Sequence, residues 1–269
     1  MNSPDLPSFE HPPVREVALG IRFDPLPIQL PTVVKLWEEL RDQLSGFEQQ
    51  PALPPTPLED LTADLRPQIQ LSMAPSIPQR YWFLSESGND VCQVQADRLI
   101  VNWRRVNDDD VYPRYDHVSK LLRTCLTSLQ GVLDHAGAGP IRPLQAEVDY
   151  VNQIDRGNGW DDLKDIPQVF AFLSATELGE LPAPSSVRTQ LQFLIPDNDS
   201  PLGRLYLDAV STTREDVPVL NLVLRSRVPL SDGGLDEALD AIDFGRSAIV
   251  RTFAAVTTPA MHALWGRKQ

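Results

Sequence analysis

Residues 14–23 read VREVALGIRF, and their apolar side chains recur at every second position. Val17, Leu19, Ile21 and Phe23 alternate with smaller or charged residues, which is the period of a β-strand buried on one face only. A sheet that is apolar on one face needs a second layer to cover it. This stretch therefore predicts a fold in which a half-buried sheet packs against other elements of the chain.

Two long stripes of apolar residues recur at helical spacing and predict the helices that cover such a sheet. The first stripe lies in 118–133 and ends before Gly137 and Gly139, which are typical of helix ends, and the second lies in 235–256. Shorter helices are predicted at 33–44, at 160–173, and after Thr258, whose hydroxyl is suited to cap a helix that begins at Pro259.

The remaining strand signals are short and close together along the chain, which favours antiparallel hairpins. They lie at residues 69–73, 81–84, 91–95, 99–103, 148–151, 191–195, 205–210 and 219–224. The stretch PALPPTP at 51–57 interrupts them, and it indicates a linker or an edge loop in extended polyproline geometry. A ligand for a proline-binding module is the alternative reading of the same stretch.

The two halves of the chain repeat the same order of elements and several short strings. The matches pair Glu16-Val17 with Glu147-Val148, 68–71 with 190–193, Asn102 with Asn221, and Arg123-Thr124 with Arg251-Thr252. They predict an α+β protein of two tandem β-α-β-β-β-α units, residues 1–139 and 140–269, packed as one compact body. Antiparallel sheets would be backed by two long helices, an order that resembles the TATA-box-binding-protein fold in topology only. A single helix-grip domain with an internal cavity is the alternative.

The net charge of −13 argues against a nucleic-acid partner, because such binding rests on neutralising phosphates. Arg104, Arg105, Arg225 and Arg227 are the clustered basic residues. The sequence has no apolar run long enough for a membrane helix and no signal-peptide pattern at its start, so we expect a cytoplasmic protein without a membrane partner. In that compartment Cys92 and Cys125 are expected to be buried thiols rather than a disulfide.

The strong catalytic and cofactor motifs are missing from the sequence, including GxSxG, the Walker loop, GxGxxG, HExxH and paired CxxC. We therefore expect no cofactor. The four histidines, at 11, 117, 135 and 262, lack the spacing of metal ligands, so no metal site is expected from them.

Asn102, Arg104, Tyr112 and Tyr115 form the densest group of polar and aromatic residues, a combination suited to binding. Trp103 stands between two of them and is expected to pack beneath the following helix.

Paired carboxylates offer an alternative site with catalytic chemistry. Glu147 and Asp149 lie two positions apart on a predicted strand, so both project from one face and could serve as acid and base. A metal ion at Asp108, Asp109 and Asp110 is a further alternative, although this triplet is also typical of a solvated loop before a helix.

Strings along nearly the whole chain, FEHPPVREV, QADRLIVNWRR, EVDYVN and TTPAMHALWG, resemble a sporadically distributed bacterial family of uncharacterised proteins. The resemblance implies kinship and carries no catalytic residue, and its sporadic distribution implies an accessory or mobile bacterial system. The sequence therefore favours a non-catalytic binding or regulatory protein over an enzyme, and its partner is expected to be a protein or a small ligand. An enzyme that uses Glu147 and Asp149, or a metal at 108–110, is the competing hypothesis.

Overall fold

The computed structural model describes residues 6–62, 79–173, 184–196, 200–231 and 233–268, and within them the chain is an α+β protein, as the sequence predicts. The described strands are β1 (Val14–Phe23), β2 (Gly46–Pro51), β3 (Gln79–Leu84), β4 (Asp90–Gln95), β5 (Arg98–Arg104), β6 (Pro143–Asp155), β7 (Arg188–Ile195), β8 (Gly203–Arg214) and β9 (Val217–Pro229). The described α-helices are α1 (Leu30–Leu40), α2 (Tyr115–His135), α3 (Ile166–Val169), α4 (Leu235–Val256) and α5 (Pro259–Leu264).

The nine described strands form one sheet, in the order β2-β3-β4-β5-β1-β6-β9-β8-β7. All neighbouring pairs are antiparallel. Strand β1 lies near the middle and pairs with β5 on one side and β6 on the other, where Leu19 stands opposite Val148. The sheet is therefore larger than either predicted unit and runs without a break across both halves of the chain.

The alternating apolar residues of the strands make the core together with the long helices. Helix α2 contacts β5, β1 and β4, whereas α4 contacts β6, β9 and β8. Cys125 of α2 meets Cys92 of β4, and burial raises the pKa of the Cys92 thiol. Both cysteines are buried free thiols. Trp103, only 3% exposed, lies in the same core.

A glycine sets the distance between α4 and the sheet. A Cβ atom at Gly245 would lie 2.2 Å from the Ser226 hydroxyl oxygen and 3.5 Å from a Val148 methyl group. The first distance is far shorter than a van der Waals contact, so a larger residue would push the helix away.

Two elements differ from the sequence prediction. The helix predicted at 160–173 is reduced to a 3-10 turn at Leu163–Asp165 and the single turn of α3, because Phe170 is extended and forms an isolated β-bridge with Thr257. Strand β2 was not predicted, since it is an edge strand with mostly exposed residues and no apolar alternation. The strand predicted at 69–73 lies outside the described residues.

No helix in the described part of the chain is long and apolar enough to cross a membrane.

Candidate functional site

The predicted site residues lie on opposite faces of the sheet. Asn102 and Asp149 both stand opposite Ala18 in the ladders, and Arg225 stands opposite Asp149. This cross-strand row, with the side chains that share its orientation, is here called the open face. Arg104 and Glu147 belong to it, because each is two residues from a member of the row on the same strand. Tyr112 and Tyr115 instead contact the apolar core on the side of α2 and α4.

A hydrogen-bonded chain of polar side chains crosses the first half of the open face. Arg80 donates to Gln93 over 2.8 Å, Gln93 donates to the Asn102 side-chain oxygen over 2.7 Å, and Asn102 donates to Glu16 over 3.0 Å. Burial raises the pKa of Glu16, with Arg104 and Asn102 opposing the rise. Asn102 is thus a buried connector between strands rather than a free binding group.

Beside this chain Trp82 lies between two guanidinium groups. The central carbon atoms of Arg80 and Arg104 are 5.2 and 5.4 Å from the centre of the Trp82 ring, within the range of a cation–π contact. Arg104 also donates to the carbonyl oxygen of Gly88 over 3.1 Å. The result is a half-exposed aromatic and cationic surface at the β3–β5 part of the open face.

The second half of the open face carries a network with more charge. Arg225 donates to Asp149 over 3.1 Å and to Asp208 over 3.5 Å, and Gln190 donates to Asp208 over 2.6 Å. Removal of the Asp149 carboxyl from bulk water raises its pKa to about 6, while Arg225 lowers it and Glu147 raises it. Asp149 keeps 37% of its side chain exposed, so solvent still reaches this network.

The proline-rich stretch, taken here as the crossing segment 52–62, runs over one end of the open face. Its main chain is held by sheet side chains: Leu53 donates its amide to Gln95 over 2.9 Å, and Gln95 donates back to the Leu53 carbonyl over 3.3 Å. Arg22 donates to the Pro57 carbonyl over 3.1 Å. The segment therefore passes from β4 to β1, and its residues 52–60 have no regular secondary structure.

The far end of the crossing segment is anchored at β6 and β8. The Glu59 amide donates to Gln145 over 2.6 Å, and Arg204 donates to the Glu59 carboxylate over 2.7 Å. Tyr206 also donates its hydroxyl proton to Glu59, and burial together with this carboxylate raises the pKa of Tyr206 to about 12. The side chains of Glu59 and Arg204 are 6% and 7% exposed, so the ion pair is buried beneath the segment.

The aspartate triplet is divided among different partners. Asp110 accepts from the amides of Val106 and Asn107 and from the Asn89 side chain, which closes the loop after β5. Asp108 lies 3.4 Å from Arg15 and 3.3 Å from Arg214. Among the described residues there is no group of three or more His, Cys, Asp or Glu side chains placed to hold a metal ion.

Tyr112 and Tyr115 contact three residues that the sequence did not indicate as site residues. The Tyr112 hydroxyl is 3.3 Å from that of Tyr150, and the Arg246 guanidinium lies 4.8 Å from the centre of the Tyr115 ring. Tyr115 donates its hydroxyl proton to Asp243. Burial raises the pKa of Tyr112, Tyr115 and Tyr150, so all three hydroxyls are neutral.

The residues that hold the crossing segment were missed because each is a single polar residue at a strand end. Polar alternation was the available signal: Gln93 and Gln95 share a face of β4, and Gln145 shares a face with Glu147 and Asp149 on β6. The partner of that face, the proline-rich stretch, is distant in sequence from both strands: its contacts with Gln95 and Gln145 span 42 and 86 positions.

Comparisons of the chain with protein-family models, with curated proteins and with solved structures found no match. Its function is therefore inferred from its own geometry.

Proposed function

We propose that this chain is a non-catalytic binding protein that holds an extended segment of a partner protein on the open face. The observation that carries the proposal is the crossing segment, an extended stretch that the face already binds through its main chain. Gln95 and Gln145 each bind a backbone amide, and Arg22 and Arg204 each bind a backbone carbonyl. We expect the open face to bind a partner segment through the same kinds of main-chain contact that it makes with the crossing segment.

Side-chain amides suit this task because one Gln offers both a donor and an acceptor to a peptide group. Main-chain contacts supply affinity with little dependence on sequence, as in other recognition modes for extended peptides. The crossing segment covers the end of the strands near Arg22, whereas Arg225 and Asp149, 39% and 37% exposed, lie beyond it. A partner segment would lie beside the crossing segment and use these exposed polar groups and the Trp82 surface.

The tandem duplication is part of the same proposal, and the strand order supports it. From β1 outward the order is β5, β4, β3, and from β6 outward it is β9, β8, β7, with β2 as the additional edge strand. Helix α2 contacts β5, β1 and β4, and α4 contacts the corresponding β9, β6 and β8. The units proposed at 1–139 and 140–269 would then meet at the β1–β6 ladder, with a long helix behind each and the open face spanning both.

The residue pairs of the β-ladders align the two units differently from the short sequence matches. If Val17 and Val148 are equivalent, their partners Trp103 and Ser226 are equivalent, and so are the neighbouring residues Asn102 and Arg225. The match of Asn102 with Asn221 in the sequence does not fit this register. In the ladder alignment, the two polar networks of the open face occupy corresponding positions.

Selection from a displayed peptide library tests the proposed function. We expect the parent protein to enrich peptides whose affinity falls by about tenfold or more in an Arg104→Ala, Arg225→Ala double variant, because each arginine offers charge-assisted donors. The matched control is Arg123→Ala with Arg251→Ala, two exposed arginines of α2 and α4. Enrichment of no peptide, or equal loss of affinity in both double variants, would contradict the proposal.

The competing proposal is an enzyme that uses Glu147 and Asp149, and one observation favours it. A carboxyl with a pKa of about 6, as at Asp149, is within the range in which general acids and bases work near neutral pH. The ion pair of Asp149 with Arg225 and the bond from Gln145 to Glu147 also fit a purely structural role. Elemental analysis of the purified protein tests the metal-dependent form of this proposal, because a stoichiometric metal ion would favour an enzyme.

Kinship with the sporadic bacterial family remains a proposal that rests on the quoted strings. It places the protein in an accessory or mobile system, and the genes beside this one are the observation that tests it. If the neighbouring genes belong to such a system, the proteins that they encode are candidate partners for the open face.

A further inference from the structure

A cavity of about 190 Å³ lies on the opposite side of the sheet from the crossing segment. It is bounded by the residues before β1, the first turn of α2 and the middle of α4, and its floor is formed by side chains of β6 and β9. Its walls separate into an apolar part, with Phe9, Ile249 and Phe253, and a polar part around Tyr112 and Arg246.

The polar part of the cavity presents donors and positive charge. Arg246 forms a side-chain hydrogen bond with Tyr150, yet its Nε atom is buried and has no hydrogen-bond partner among the described residues. The Tyr112 and Tyr150 hydroxyls, 3.3 Å apart, are kept neutral by burial, and because one donates to the other, one hydroxyl proton of the pair is left to donate to a ligand. A neutral hydroxyl and a guanidinium together select for an acceptor with negative charge.

The wall of the cavity contains two arginines and one acidic residue. In the described ranges no carboxylate forms an ion pair with Arg246 or with Arg114, the other arginine of the wall. Arg114 donates instead to the carbonyl oxygens of Phe9 and Glu10. Asp116, the acidic residue of the wall, is solvent-exposed. With two arginines and one aspartate, the wall has a formal charge of 2 − 1 = +1, which favours a small anion.

The size of the cavity limits the ligand further. An apolar cavity of roughly 150 Å³ in a protein interior holds one benzene molecule. The larger space here accommodates a single ring with one small polar substituent, and the Phe9 and Phe253 rings offer edges and faces for aromatic packing.

We infer that this cavity binds a small monocyclic aromatic carboxylate, with its ring against Phe9 and Phe253 and its carboxylate at Arg246, Tyr112 and Tyr150. The guanidinium fork of Arg246, a residue of the cavity wall, matches a planar carboxylate. The cavity lies on the other side of the sheet from the open face. A negative result for ligand binding in the cavity therefore leaves the proposed function untouched, and the reverse also holds.

Isothermal titration of the full chain with benzoate tests the inference, with benzamide as a neutral ligand of the same shape and acetate as a carboxylate without a ring. We expect benzoate to bind at least about tenfold more tightly than benzamide, since a charge-assisted contact contributes that much. Acetate should bind more weakly still. Absence of benzoate binding at millimolar concentration, or equal binding of benzoate and benzamide, overturns the inference without any variant.

Two variants then assign the contacts. Arg246→Met keeps the length of the side chain but removes its charge, and we expect benzoate affinity to fall by about tenfold or more while benzamide affinity changes little. Tyr112→Phe removes one donor and should weaken benzoate binding by a smaller factor. Arg123→Met on the exposed face of α2 is the control. Unchanged benzoate affinity in a folded Arg246→Met protein contradicts the assignment.

Discussion

Asp149 shows how one strand position combines partial burial with an ion pair. It lies on the open face between Ala18 of β1 and Arg225 of β9, and packing against the sheet opposes its ionisation. Arg225 offsets this only in part, so the carboxyl has a pKa of about 6. The sequence predicted the side chain's face correctly from alternation alone, but burial and charge partners depend on which strand becomes its neighbour.

The pH dependence of stability tests this account of Asp149. An unfolded Asp has a pKa of about 3.9, and the folded value of about 6 means that the native state holds the proton more tightly. Ionisation of Asp149 therefore opposes folding as the pH rises between these two values. We expect the stability of Asp149→Asn, relative to the parent, to increase over that interval in urea unfolding. A carboxyl titration midpoint near 4, measured by NMR, would contradict the account.

Glycine substitutions test the close approach of α4 to the sheet. Gly245→Ala should lower the free energy of unfolding by about 1–3 kcal/mol, because its Cβ would overlap Ser226. Gly131→Ala is the matched control in α2, where nothing lies within 4 Å of the added Cβ. There the better helix propensity of alanine should raise stability by up to about 1 kcal/mol. Equal effects of the two changes in chemical denaturation would refute the packing.

At the scale of elements, the crossing segment is an irregular stretch with a defined position. Prolines at 54, 55 and 57 favour an extended backbone and remove backbone donors that would otherwise need partners. Sequence analysis predicted a linker or an edge loop, and residues 52–60 do lack regular structure. Its path over the sheet could not be predicted, because each contact joins a residue of the segment to a strand 34 to 147 positions away.

The buried ion pair of Glu59 with Arg204 is expected to fix this path. Removal of one partner leaves the other charge buried and unpaired, which costs roughly 3–5 kcal/mol unless the segment detaches. In Arg204→Ala we therefore expect faster hydrogen exchange at the Leu53 and Glu59 amides, which the sheet protects in the parent. Arg188→Ala, at an exposed site on β7, is the control. Unchanged protection in Arg204→Ala would show that the ion pair does not hold the segment.

For the whole molecule, the β1–β6 ladder joins the two halves of the chain into one sheet. Nine residue pairs extend from Val14 and Asn152 to Phe23 and Pro143. The sequence predicted most strands and both long helices, because their apolar periods are strong and local. It could not predict that the sheet is continuous, since the pairing of β1 with β6 depends on the register between the two strands, which neither strand sets alone.

Thermal unfolding tests the continuity of the sheet. Separation of the halves would expose the buried residues of both central strands, so we expect a single transition whose calorimetric and van't Hoff enthalpies agree. A variant that weakens only the second half, such as Gly245→Ala, should shift that transition without splitting it. Two resolved transitions in the parent protein would contradict one cooperative body.

The central claim is that the open face binds extended polypeptide, and binding of the crossing segment from outside the chain tests it most directly. In a variant whose residues 52–60 are replaced by a Gly-Ser stretch of equal length, NMR would follow the side-chain amides of Gln95 and Gln145 during titration with the peptide PALPPTPLEDLT, residues 51–62. Saturable shifts of both amides are predicted, with weaker binding for a peptide that carries Glu59→Ala. Absence of shifts at these glutamines, or shifts confined to α2 and α4, would contradict the claim.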